Sequence, residues 1–450
     1  MTLHTQKGGN ATEKPALVLM HFLGGSGREW DEVVTMLGGK YETLRVDLPG
    51  FGGSADVPGY SVDEMADAVQ RTIDQEGIGR FVLVGHSMSG KVAMVLARRE
   101  AFVPGSRLAG LVLVAPSPPS PEPMGDNKRT MMLDLLGEQH EDDTARARQY
   151  ITKNELRDIP VAVEERASSE VLKMNRAAWV AWIERGSRED FGERVGVLDL
   201  PAVVLAGEKD LSLGPKQQIE LTLRHLRCGK LVTVPGCSHL IPMECPAVMA
   251  STLRDFLAEI DKPQLQVPAA YQAFIDGERV SPKTREVLNA RRKPPASIHN
   301  LFTNEQVSTL RAMLDRVIPQ SEPALDLTGY IMERLATGRG DGWRYDVLPP
   351  DVEAYREGLD RLAWQGFGKM NVEAQDQVLR QLSSQPSSAA ARWFEEVRGD
   401  AVSAYMAHPA TMARIGYSGI GVGGAHTPFQ GYITLGPNER EDWEPLASGI

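Results

Sequence analysis

The sequence predicts a doubly wound, mostly parallel α/β sheet with a helical cap, followed by a mainly α-helical second domain. Three observations carry this. Short apolar runs alternate with longer helical patterns from Ala16 to about Asp261, an excursion at about 116–197 interrupts them, and the alternation stops after Leu257. At 450 residues the chain exceeds what one hydrophobic core usually organises. The expected boundary puts 1–262 in the sheet domain and 263–450 in the helical one.

The apolar runs are ALVLM, TLRV, FVLV, LAGLVLV, PAVVLAG and KLVTV. Runs this short, without polar alternation, are strands buried on both faces, and their alternation with helices implies parallel pairing. The excursion opens with PSPPSPEPMG and continues with helical patterns carrying Met131, Met132, Leu135, Trp179 and Trp182. A connection of that length at the carboxyl edge of a sheet lies over the place where ligands bind. It reads as a cap whose Trp, Met and Leu side chains suit a compact, largely apolar substrate group.

Beyond the linker DKPQLQVP, NEQVSTLRAMLDRVIP places Val307, Leu310, Met313, Leu314 and Val317 on one helical face, with Thr303 and Gln306 as a capping box and Pro319 as a stop. Further helices are expected around 324–336, 351–364, 372–382 and 389–406, and the last thirty residues read as irregular. Trp393, Phe394, Val397, Ala401 and Ala404 share a face that reads as core. His408 and His426 lack a third ligand at a recognisable spacing and read as polar partners, and RGD at 339–341 reads as a turn. No metal site and no cofactor are expected.

A formal charge of −11, with no basic run, argues against a nucleic-acid partner. No apolar run approaches the roughly 18 residues a spanning helix needs, and the first residues lack a signal-peptide pattern. Cys228, Cys237 and Cys245 fit neither a zinc site nor a disulfide framework. A cytoplasmic location with buried or incidental thiols is expected.

The chemistry concentrates at GHSMSG, residues 85–90, between the FVLV strand and the helical KVAMVLARRE. In G-x-S-x-G the serine sits on a strained strand-to-helix turn, and small neighbours let strand and helix approach. Here Gly85, Ser89 and Gly90 are those neighbours, with serine where the pattern has its second glycine. Ser87 is the candidate nucleophile, and the Met88 N–H at the helix start is the candidate oxyanion donor. A hydroxyl needs a base: His239, in the GCSH loop after the last strand, is the candidate. Asp210, in GEKD at the preceding strand end, would orient it, with Glu208 in reserve. The second oxyanion donor is expected in HFLGGSG, at the N–H of Leu23. Phe22, Trp179 and Trp182 are the candidate substrate-binding residues. DLPGFGGS, 47–54, is expected to shape the site, and His86 to pack under the elbow.

On HFLGGSG, DLPGFGGS, GHSMSG, GEKD and GCSH in that order, residues 16–258 resemble the α/β-hydrolase superfamily. The resemblance implies that Ser87, Asp210 and His239 match the family's triad, and that an acyl-enzyme forms on a small-molecule ester, lactone, thioester or amide. Carbon–carbon hydrolases and cofactor-free haloperoxidases share that triad. The short stretch before Ala16 implies that the family's first strand is missing. FTNEQVSTLRAMLDRVIP, YREGLDRLA, WFEEVRGDAVSAYMAHP and GYSGIGVGG, with GYITLGPNEREDWEP, resemble the gluconate 2-dehydrogenase subunit 3 family. That resemblance implies a helical unit that meets a protein partner or a second copy, and it leaves open a non-catalytic scaffold that recruits a dehydrogenase.

Overall fold

A computed structural model describes residues 2–10, 14–103, 105–155, 159–261, 265–321, 323–340, 342 and 344–420. The chain divides into two compact units, Met1–Asp261 and Lys262–Ile450. Among the described residues the first unit is built on seven strands: β1 (Thr5–Gly8), β2 (Ala16–Met20), β3 (Thr43–Val46), β4 (Phe81–His86), β5 (Leu108–Val114), β6 (Leu198–Gly207) and β7 (Leu226–Val234). Their spatial order is β1-β3-β2-β4-β5-β6-β7, parallel except where β1 meets β3.

All six expected runs are strands. The sheet also starts earlier than the sequence suggests, because TQKG pairs antiparallel along β3 as an edge strand. An edge strand buries little, so β1 needs no apolar run and leaves no apolar signal.

Successive side chains of a strand face opposite ways, and here both faces are covered. Val18, Met20, Leu83, Leu111, Leu113 and Val204 enter one core with the helices Val62–Gln75 and Met88–Glu100. Leu17, Leu19, Val82, Val84, Val112, Val114 and Leu205 enter another with the helices Asp31–Leu37 and Pro246–Ile260. That is why these runs show no polar alternation.

Strand β2 lies between β3 and β4, so the chain leaves β2 to one side and returns on the other. At such a reversal the loops leaving the two central strands diverge and open a crevice at their carboxyl ends. Residues 21–27 and the turn at Ser87 follow β2 and β4 there, with Met20 and Gly85 in register.

The excursion between β5 and β6 forms the helices Asp126–Leu136, Asp143–Asn154, Val161–Lys173 and Arg176–Glu184. Its two ends are tied together, Glu122 N–H donating to Ser187 O at 2.7 Å and Phe191 N–H to Pro119 O at 2.8 Å. It is also fastened to the core. Lys91, fully buried in the helix after Ser87, donates to Gly186 O at 3.2 Å and Glu189 O at 2.9 Å, and burial pushes its ammonium down to about 8. Arg129 donates to Ile183 O at 2.6 Å and Ser187 Oγ at 2.5 Å, closing the cap on itself.

In the second unit the helices Asn304–Val317, Leu327–Thr337, Asp351–Trp364, Val372–Ser383 and Ala389–Ala407 enclose one core that includes Leu310, Met313, Leu359, Trp393, Phe394, Val397 and Ala401. The Thr303–Gln306 capping box is formed. Three short helices, Ala269–Asp276, Pro282–Arg291 and Pro409–Arg414, were not expected; their residues Tyr271, Ile275, Leu288 and Met412 share a small separate cluster. They are too short for a clear period, and proline at the first turn of two of them reads as a break in the sequence. His408 caps the last of them, its Nδ1 accepting the N–H of Ala410 at 3.2 Å; burial pushes its pKa down to about 4. His426, Asp341 of the RGD turn and residues 421–450 lie outside the described residues.

Among the described residues no helix is long and apolar enough to cross a membrane. Among the described residues the three cysteines form no disulfide.

Candidate active site

Ser87 ends β4 at φ 52° and ψ −116°, a backbone position that L-residues rarely hold and that costs about 1–3 kcal/mol. The surrounding chain fixes it. Ser87 N–H donates to Val114 O, and the N–H groups of Gly90 and Ser117 both donate to Ser87 O, each at 2.9 Å. The small neighbours are sterically required: a Cβ on Gly85 would lie 2.6 Å from Ser89 O, and one on Gly90 2.4 Å from Pro116 Cβ. Ser89 fits where the pattern has glycine because its hydroxyl is used. Ser89 Oγ accepts His86 N–H at 2.8 Å and reaches Met20 O at 3.0 Å, joining the elbow to β2.

Gly90→Ala tests this packing. Alanine in a helix gains about 1 kcal/mol over glycine, whereas overpacking a filled contact costs about 1–3 kcal/mol. Pro116 has no flexible end to move aside, so the clash wins, and thermal denaturation is expected to show net destabilisation.

Three side chains from three strand ends meet here. His239, five residues after β7, places Nε2 2.9 Å from Ser87 Oγ and Nδ1 2.7 Å from Asp210 Oδ2. Asp210, three residues after β6, accepts the N–H groups of Ser212 at 2.9 Å and Leu213 at 3.0 Å on its other oxygen. A carboxylate at Nδ1 keeps the proton there and leaves Nε2 free to accept from the serine hydroxyl. Burial acts to raise the Asp210 carboxyl, but His239 and the two N–H donors override it and hold it well below the usual carboxylate range. Burial likewise acts to lower His239, and the charge and hydrogen bond of Asp210 outweigh it, raising the imidazole above its ordinary value. Glu208 does not reach the histidine: it is exposed and accepts Gly236 N–H at 2.9 Å.

The loop after β2 lies alongside. Leu23 borders the same cavity as Ser87 and His239. Its N–H and that of Met88 have no hydrogen-bond acceptor among the described residues. The carbonyl of the Phe22–Leu23 peptide is held by His21 Nδ1 at 2.7 Å and Gly25 N–H at 3.0 Å. Behind it, buried Glu29 accepts Phe22 N–H at 3.1 Å and lies 3.2 Å from His86 Nδ1. His86 Nε2 donates to His239 O at 2.9 Å. His86 is thus under the elbow as expected, and with Glu29 it links the β2 loop to the histidine loop. No motif marks Glu29; its role follows from a short 3₁₀ turn, Gly27–Trp30, that aims it inward.

Residues 47–54 brace this arrangement. Asp47 accepts Gly27 N–H and Gly53 N–H, each at 2.7 Å, and His21 Nε2 accepts Leu48 N–H at 3.0 Å. Gly50, at φ 87°, leaves no room for a Cβ, which would lie 2.3 Å from Ala178 Cβ of the cap.

The cavity over Ser87 is about 450 Å³. Met124, Met132, Leu135, Tyr150 and Trp182 line it, with Lys128, Lys153 and Lys209 among its polar residues. Of the three candidate substrate-binding residues, Trp182 is on its wall, while Phe22 and Trp179 are not. They are buried behind Tyr150, which stacks on Phe22 with centroids 6.3 Å apart and meets Trp179 edge-on at 5.0 Å. Trp179 Nε1 donates to Met132 O at 3.0 Å, which turns the indole into the cap. The sequence reading missed Tyr150 because its environment comes from three separate segments.

The chain belongs to the alpha/beta hydrolase family, whose family model matches residues 17–252. A second model, gluconate 2-dehydrogenase subunit 3, matches residues 304–424. The chain is similar to a 2-succinyl-6-hydroxy-2,4-cyclohexadiene-1-carboxylate synthase of Escherichia coli, 39% identical over 100 residues, which are 22% of this chain and 39% of the relative. The match therefore spans well under half of that relative's length. Among solved structures it is similar to a bromoperoxidase from Bacillus anthracis, with TM-score 0.50 and 18% identity over 57% of this chain and 95% of that one. An esterase from Exiguobacterium antarcticum gives TM-score 0.49 and 16% identity over 57% and 95%. At these identities the likeness to solved structures is one of fold.

Proposed function

We propose that the chain is a serine hydrolase that cleaves a carboxylic ester, lactone or related acyl substrate through an acyl-enzyme. The observation that carries this is the hydrogen-bonded series Asp210, His239 and Ser87, at 2.7 and 2.9 Å, on a strained elbow. In this reading Ser87 Oγ attacks the carbonyl carbon and His239 Nε2 takes its proton. The N–H groups of Leu23 and Met88 stabilise the oxyanion, and His239 returns the proton to the leaving group. Water then repeats the sequence on the acyl-enzyme. A fluorophosphonate probe tests the proposal: stoichiometric labelling of the folded protein at Ser87 is expected, and its absence would tell for a scaffold that keeps only the fold.

A second reading is favoured by the name of the curated relative, a synthase. The same base could serve bond-breaking between carbons, or proton transfer, without a stable acyl-enzyme. Trapping with a slow ester separates the two, since an acyl group retained on Ser87 supports hydrolysis.

For the helical unit, the family match supports a protein-binding role. Purification of the full chain from its native host should bring down a protein partner or a second copy; a monomer alone would remove that role.

A further inference from the structure

The cap does more than roof the cavity. One helix of it, Asp143–Asn154, touches two parts of the site through its last turn. Tyr150 Oη donates to Leu23 O at 3.0 Å. One helical turn later, Asn154 O accepts the N–H of His239 at 3.2 Å. Asn154 Nδ2 donates back to Tyr150 O at 2.7 Å, which keeps that turn wound.

Leu23 O is a sensitive atom to hold. Residues 22–25 form a turn closed by Gly25 N–H on Phe22 O, with Gly24 at φ 81° in its third position. The middle peptide of such a turn can flip between two forms, glycine permitting both, and its carbonyl is Leu23 O. The Tyr150 hydroxyl selects one of them. The ring is itself fixed between Phe22 and Trp179 and almost fully buried. It therefore brings a placed hydroxyl to the loop and not a mobile one.

We infer that Tyr150 is a positioning residue: the last turn of this cap helix sets the oxyanion loop and the histidine loop in register, so that the site is complete only with the cap seated. The inference rests on the hydrolase reading above. Tyr150 borders the cavity, so a substrate contact is the competing role, and the experiment is chosen to part the two.

The test is Tyr150→Phe, which removes one oxygen and keeps the ring packing. Direct loss of an oxyanion donor costs about 10²- to 10³-fold in kcat; acting through the loop, loss of the hydroxyl is expected to lower kcat on an activated ester about tenfold, with KM within about twofold. A trifluoromethyl ketone adds Ser87 Oγ to its carbonyl carbon, the serine proton passing to His239 and the former carbonyl oxygen becoming the oxyanion. Its affinity should fall by the same factor as kcat. Unchanged kcat, or a rise in KM alone, overturns the inference. Asn154→Ala, which loosens the same turn without touching the ring, should lower kcat in the same direction by a smaller factor. It carries the test if Tyr150→Phe does not fold, and wild-type kcat in it then overturns the inference. Wild type and Ser87→Ala run alongside. A wild type that neither turns over ester nor takes the fluorophosphonate removes the hydrolase reading, and this inference with it. An active wild type with a fully active Tyr150→Phe removes this inference alone.

Discussion

Ser87→Ala is expected to lower turnover of an activated ester by about 10³- to 10⁶-fold, since a nucleophile acting as one unit with its base takes most of the catalysis with it when removed. The substitution is clean. Alanine keeps the Cβ, and the three hydrogen bonds that hold the elbow are all made by the main chain of residue 87. The protein should fold with a melting temperature close to wild type and fail to take a fluorophosphonate. Near wild-type hydrolysis by this variant would refute the assignment of Ser87.

Asp210→Asn should cost about 10⁴-fold, and the reason can be read from its two oxygens. One accepts the N–H groups of Ser212 and Leu213, and the other faces His239 Nδ1. An asparagine must give its single oxygen to the two main-chain donors, which turns its NH₂ toward the imidazole. Nδ1 must then accept, the proton moves to Nε2, and the lone pair that should receive the Ser87 proton is lost. The pH profile adds a second readout. Only the neutral imidazole is a base, and Asp210 raises its pKa above the ordinary histidine value. In wild type the activity should therefore rise with pH through a limb lying above the ordinary histidine range. Removing the carboxylate removes the raising influence, so the limb of the residual activity should move to lower pH. A limb that stays in place would separate Asp210 from the titration.

The candidate nucleophile, acid and base that the structure brings together are legible in the sequence because each follows an apolar run at a turn of recognisable composition. Strand ends fix where such turns emerge. Between the two candidate acids of GEKD, Asp210 lies against His239, while Glu208, the first residue past β6, accepts the N–H of Gly236 instead. What could not be read is what depends on three-dimensional neighbours. Trp179 and Trp182 are three residues apart on one helix, yet one borders the cavity and the other is sealed behind Tyr150. Glu29 and Tyr150 are unremarkable letters whose partners lie on remote segments. Strand β1 was invisible because TQKG buries too little to need an apolar pattern.

The insertion between β5 and β6 leaves every strand pairing of the sheet on either side of it untouched. Residues 116–197 can therefore change in length or sequence without breaking a strand pairing, so substrate preference can be remodelled in that single segment. On the inference drawn for Tyr150, a replacement segment would again have to offer a hydroxyl to the carbonyl of Leu23 and a main-chain oxygen to the amide of His239, the two contacts this cap makes.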